Sequence, residues 1–276
     1  MAEISATAVR TLRERTQLPL MDCKKALAEC GGDEEAAIRW LREHGKIKQA
    51  KNADRETSFG RFGIYVDNKS RRAAMVELKC ESAPVTKNEE FIQLASDLAR
   101  QLATGPGATT GEELLAQPSP SKTGVTLGEQ RDELYNKVRE VFNVGNLVRV
   151  EGTCGSYEHL GSVVHGVLLQ AEGGDAEALR EICMHIAAMK PRAVTTGELD
   201  PALVDQERQT LRTAALNEGK PANIVDKMVE GRLKNYYAET VLLEQPFVKE
   251  PSMTVGKLAT DRGIKVQKFW HWTLTG

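Results

Sequence analysis

No C-x-x-C pair occurs in these 276 residues, and the five cysteines (Cys23, Cys30, Cys80, Cys154, Cys183) are odd in number and widely spread. That pattern disfavours both a disulfide framework and a zinc knuckle, and it fits a reducing cytosol. Long apolar runs are missing too. The opening Met1-Ala2-Glu3-Ile4 is acidic and has no apolar core behind positive charge, so neither a membrane span nor an export signal is expected. Charge of one sign is lacking: the formal net charge is −2 and the sequence pI about 6.3. The electrostatic reason to expect direct nucleic-acid or membrane binding is thereby removed, which points to proteins or small molecules as partners. The phosphate-cradling loop G-x-x-x-x-G-K-[ST] is absent, and Gly152-x-x-Gly155 lacks the third glycine and following helix of a dinucleotide fingerprint. G-x-S-x-G and H-E-x-x-H are also missing, so the common hydrolase and metalloprotease signatures do not apply. No cofactor or metal is expected.

What is present is a chain with 41% hydrophobic and 28% charged residues, enough for a substantial core in two or three modules. Residues 1–45 read as three short helices. Ser5 or Thr7 caps the first, Pro19 sits at the first turn of the second and Gly31-Gly32 ends it, Asp33 caps the third, and Gly45 is its stop. A bundle so small buries little alone and should dock elsewhere or present a surface. Residues 46–58 are polar and basic, a tether. Two similar hairpin-then-helix units follow. The first has strands at Arg61–Val66 and Ala73–Cys80 and a helix from Phe91. The second has strand-like Leu147–Gly152 and Gly155-Ser156-Tyr157, a long strand Ser162–Ala171 and an Asp175-capped helix through Met189. Thr126–Phe142 is an amphipathic helix, and Gly105–Gly124 is loop apart from a turn of helix at Glu112–Ala116.

These patterns predict an α+β fold with a core of two related halves. Its divisions are 59–142 for the N-terminal half and 143–190 with 238–276 for the C-terminal half, interrupted at 191–237 by an antiparallel helical hairpin. The hairpin arms are Pro201–Asn217 and Ala222–Tyr237, joined at Glu218-Gly219-Lys220-Pro221, and their expected seam sets Leu203, Leu211 and Ala215 against Ile224, Met228 and Leu233. The chain returns through Pro246-Phe247-Val248, a short helix near Val255–Thr260 and a last strand Ile264–Leu274.

Between the Ala73–Cys80 strand and the Phe91 helix lies Glu81-Ser82-Ala83-Pro84-Val85-Thr86-Lys87-Asn88. Pro84 has a fixed φ and biases Ala83 away from helix, so a stiff, extended tip capped by Asn88 is expected. Such a tip suits a small apolar wedge. With Glu81 and Lys87 as its only ionisable groups, it suits acid/base or metal chemistry poorly. His159 and His165 flank a turn and would need a carboxylate from elsewhere to act, so a structural role is expected. Asp22-Cys23-Lys24-Lys25 reads as a solvated helix face, and Trp270-His271-Trp272 as a strand with one face on the core.

Thr11-Leu12-Arg13-Glu14-Arg15-Thr16, followed by Leu20-Met21-Asp22-Cys23-Lys24-Lys25-Ala26-Leu27, closely resembles the N-terminal module of the bacterial elongation factor Ts family. So do Lys227-Met228-Val229-Glu230-Gly231-Arg232, Gln245-Pro246-Phe247-Val248 and Glu250-Pro251-Ser252. The resemblance implies a ubiquitin-associated-like three-helix domain, a two-part α+β core and an inserted hairpin. It implies a cytoplasmic guanine-nucleotide exchange factor, not an enzyme, that binds elongation factor Tu in its GDP-bound and nucleotide-free forms and promotes release of Mg2+ and GDP. The matched contacts are Leu12, Leu20, Met21, Lys24, His159 and Val248. Ser82, Ala83, Pro84, Val85, Thr86 and Lys87 match the tip that dislodges Mg2+. Many members carry Thr-Asp-Phe where this chain has Ser82-Ala83-Pro84, so a carboxylate and a ring are missing and Pro84 is left as the wedge. Two alternatives stay open at this stage: a scaffold that holds elongation factor Tu without exchange, and a hydrolase built on His159 or His165. Also open is whether the hairpin touches a second copy, as in a dimer of heterodimers, the GTPase, or nothing.

Overall fold

The computed structural model describes residues 4–16, 18–51, 55–219 and 221–275, so expectations that fall on Met1–Glu3, Gln17, residues 52–54 and Lys220 lie outside the described residues. The fold is mixed α+β. Helices α1 (Ala6–Thr16), α2 (Leu20–Glu29) and α3 (Glu34–Lys51) form the N-terminal module around Val9, Leu12, Cys23, Ala26, Leu27, Ala37 and Leu41. Pro19 stands just before α2, not within it. Gly45 does not stop α3, which runs to Lys51 and so occupies half of the expected tether. The reason for a glycine there is contact: a Cβ at Gly45 would lie 2.2 Å from Asn136 Oδ1, so its bare backbone lets α3 dock on the core.

Strands β1 (Phe59–Asp67), β2 (Arg72–Cys80) and β3 (Asn143–Glu151) make one antiparallel sheet in that order. Strands β4 (Thr153–Leu160), β5 (Val163–Glu172) and β8 (Lys265–Thr275) make the second, order β4-β5-β8. The boundary at 142/143 is therefore corrected: β3, expected to open the second half, pairs with β2 in the first. Each hairpin carries a distant third strand on its second strand, β3 on β2 and β8 on β5.

Period-two alternation decides the layers. Ala74, Val76, Leu78 and Cys80 face α4 (Glu89–Thr104), while Ala73 and Met75 face the other sheet and meet Phe62, Val150, Cys154, Leu168 and Leu274. Across the second sheet, Val167 and Leu169 face α7 (Ala176–Met189). Gly63 allows α4 its close approach, since a Cβ there would lie 1.8 Å from the Ala95 carbonyl oxygen. Helix α5 (Gly111–Leu115) and helix α6 (Leu127–Val138), the latter started by a Thr126–Glu129 capping box, pack beside α4. Helix α6 stops before the expected Phe142. Arg139 turns left-handed (φ 66°), which drops Val141 and Phe142 into the core, where the Phe142 ring sits 5.5 Å from that of Phe91.

Helices α8 (Pro201–Asn217) and α9 (Ala222–Thr240) form the hairpin. Its seam is Ala215 against Val225 and Val229, with Leu211 beside them, whereas Leu203 and Ile224 are exposed. Val225, Val229 and Leu233 fall four apart and share a face, a phase that the expected Ile224 and Met228 miss by one residue. Strands β6 (Pro246–Phe247) and β7 (Glu250–Thr254) and helix α10 (Val255–Asp261) lead the chain back to β8. Among the described residues no helix is long and apolar enough to cross a membrane.

Candidate partner-binding surfaces

The residues singled out in the sequence occupy separate surfaces on one scaffold. On α2, Leu20 and Met21 are 48% and 70% exposed, and Lys24 is exposed beside them. They cannot be core residues of the module, whose interior is taken by Cys23, Ala26 and Leu27 from the same helix. Leu12 is a correction. It is fully buried among these residues, so it supports α2 from beneath and cannot itself touch a partner.

The tip is not extended. Ala83–Lys87 form a 3-10 turn, a conformation equally compatible with the φ of proline. Val85 turns inward and is buried, Thr86 Oγ1 donates to the Ala83 carbonyl (2.7 Å), and Ala83 and Pro84 are left exposed at the apex. Its base is tightly tied. Glu140 accepts from the Ser82 N–H (3.0 Å) and hydroxyl, Glu81 accepts from the Val141 N–H (2.7 Å), and Arg61 reaches the Thr86 carbonyl (3.5 Å). Asn88 caps α4 by accepting from the Glu90 and Phe91 N–H groups, as its position suggested. Lys87 is exposed at the turn's far end. The Glu140 tie had no local signal, because its two ends are far apart in the chain.

On the second sheet, His159 is exposed at the end of β4 with Tyr157 Oη 3.3 Å from its Nδ1. It lies opposite His165, whose Nδ1 is 2.9 Å from His271 Nε2. Burial and neighbouring positive charge push the His165 pKa down and that of His271 to about 4. These partners are rings, not carboxylates, and among the described residues no group of three His, Cys, Asp or Glu side chains could hold a metal. Trp270 and Trp272 face the inter-sheet core, as the alternation indicated. Val248 is 43% exposed, and its backbone is held by its N–H donating to His185 Nδ1 (3.1 Å). His185 in turn bonds Gln245 Oε1 through Nε2 (2.9 Å), and both side chains are fully buried. Exposed apolar side chains that escaped sequence reasoning include Leu160 and Met189. Their positions at a strand end and a helix end offer no periodic signal.

A family model described as elongation factor TS matches residues 84–275. A protein of Thioalkalivibrio sulfidiphilus named elongation factor Ts is 43% identical over 270 residues, covering 96% of this chain and 90% of the relative. Those of Methylococcus capsulatus and Nitrosomonas eutropha, both with the same name, are each 41% identical, covering 96% and 98% of this chain and 90% of each relative. The chain belongs to the elongation factor Ts family.

It is thus a protein of translation elongation. Apolar side chains stand exposed at α2, at the tip and at Val248, each on a backbone fixed by buried neighbours.

Proposed function

We propose that this chain is a guanine-nucleotide exchange factor for elongation factor Tu. It binds the GDP-bound form and stabilises the nucleotide-free form, so that Mg2+ and GDP leave and GTP enters, with no covalent step of its own. Linkage requires the effect to be reciprocal: if the factor binds the empty GTPase better than the loaded one, nucleotide is weakened by the same ratio. Each tenfold gain in release rate takes about 1.4 kcal/mol of preferential stabilisation of the release transition state. In this reading Leu20, Met21 and Lys24 hold the nucleotide domain, His159 and Val248 hold a second surface, and Pro84 enters as a small stiff wedge. The observation that supports it is the exposed Ala83-Pro84 apex on a turn whose base is tied by Glu140 and Arg61. A wedge must not yield when pressed.

The test is to follow fluorescent GDP leaving the cognate elongation factor Tu with and without this protein. Accelerated release is the expected outcome. An unchanged lifetime of bound GDP overturns the proposal, and equal affinity for the GDP-bound and empty forms would make the protein a scaffold instead.

A further inference from the structure

Among the described residues, the ties between the three-helix module and the core differ in quality. Arg42, largely exposed, and Glu133, about one-third exposed, are 4.0 Å apart, a geometry worth little. A cavity of about 250 Å³, lined by Arg15, Leu18, Ile38, Leu41, Glu133 and Asn136, leaves the facing surfaces of the module and α6 incompletely closed. A second charged tie is the ion pair of Asp22, in the first turn of α2, with Arg139, both less than one-third exposed. Arg139 also occupies an unusual backbone position. It caps α6 in the left-handed conformation, where glycine would sit without the roughly 1 kcal/mol or more that an L side chain costs.

The next residue completes the arrangement. Glu140 grips Ser82 through both carboxylate oxygens, while Glu81 takes the Val141 N–H, so residues 81–82 and 140–141 bind each other reciprocally through carboxylates and backbone amides. One dipeptide therefore holds the α2 face by its first side chain and the base of the Pro84 turn by its second.

We infer that Arg139-Glu140 is a positioning clamp, with Asp22 and Ser82 as its two anchor points, that sets the tip and the α2 face in one fixed relation. Its functional consequence rests on the exchange reading above: elongation factor Tu meets a rigid bracket, so contact at α2 aims the wedge. Neither Arg139 nor Glu140 has to touch the partner for this.

Two measurements test it. In the free protein, Asp22→Asn and Arg139→Asn should each speed hydrogen exchange of the Ser82 amide about fivefold, the Asn at 139 being tolerated in the left-handed region. The Val76 amide, in the sheet centre, should be unchanged. An unaltered Ser82 amide overturns the clamp, and so does equal acceleration at Val76, which would mean general loosening. In GDP release, each single variant should lower the maximal rate about fivefold and the double variant should be no worse, because one link is being cut. Effects that add would show two independent partner contacts and overturn the clamp. Should the wild-type protein fail to speed GDP release, the exchange reading falls, and the Ser82 amide alone still decides the clamp.

Discussion

Asp97 is a buried carboxylate on α4 that accepts hydrogen bonds from Gln93 Nε2 (3.0 Å), Gln130 Nε2 (2.9 Å) and Ser121 Oγ. It joins α4, α6 and the loop between them at one point. Truncation would strand these donors, so Asp97→Ala should cost about 2 kcal/mol, read as a lowered urea midpoint with unchanged slope. The histidines act on the same scale but through pH. His185 accepts the Val248 N–H on Nδ1 and so must be neutral there, and burial lowers its pKa, as it does for His165 and His271. In the unfolded chain these groups titrate near about 6.5, so as pH falls below that value the unfolded state takes up protons first. Their contribution is complete above that point and is lost as pH falls toward the lower folded values, about 4 for His271. A urea midpoint clearly lower at about pH 5 than at about pH 7.5 is expected, and equal midpoints would refute this account.

At the scale of the element, the tip shows how few residues make a rigid projection. Pro84 restricts φ, Val85 anchors the turn to the core, and Asn88 starts the next helix. In the exchange reading, stiffness is the property on which the proposed wedge depends. Pro84→Gly should therefore slow maximal GDP release about tenfold while costing at most about 1 kcal/mol of stability, since the lost restraint acts mainly on the unfolded chain. An unchanged release rate would remove Pro84 from the mechanism. The α8–α9 hairpin contrasts with the tip: its seam is thin, and the pairs Arg212–Asp226 (2.6 Å) and Arg232–Glu218 (2.9 Å) that cross it are exposed or partly so.

For the whole molecule, the proposed contacts lie on different modules, and affinity should reflect their combined engagement. Leu20→Ala with Met21→Ala should leave the free protein's stability nearly unchanged, because both side chains already face solvent. The same change should raise the half-saturating concentration in GDP release about tenfold or more, as loss of an apolar anchor does. Titrating release rate against factor concentration checks it, and an unshifted curve would mean that α2 does not engage the partner. Leu12→Ala should behave oppositely, destabilising the module through the cavity it leaves beneath α2.

Local chemistry was enough to read most elements and the division of buried from exposed faces. Alternation in β2, the Asn88, Thr126 and Asp175 caps, and the spacing on α4 act within a few residues of themselves. By sequence Leu20 and Met21 are apolar residues of α2 that stand out as contacts only through the family resemblance, and local chemistry locates the Pro84 tip but misses its 3-10 turn. Pairing of β3 with β2, the true job of Gly45 and the early end of α6 at Arg139 were not legible, because each depends on what lies opposite in space. A residue's own neighbours fix its backbone preference and its affinity for water. Which distant carboxylate closes on Ser82, and whether the α2 face and the tip are held as one body, depends on contacts that exist only once the chain has packed.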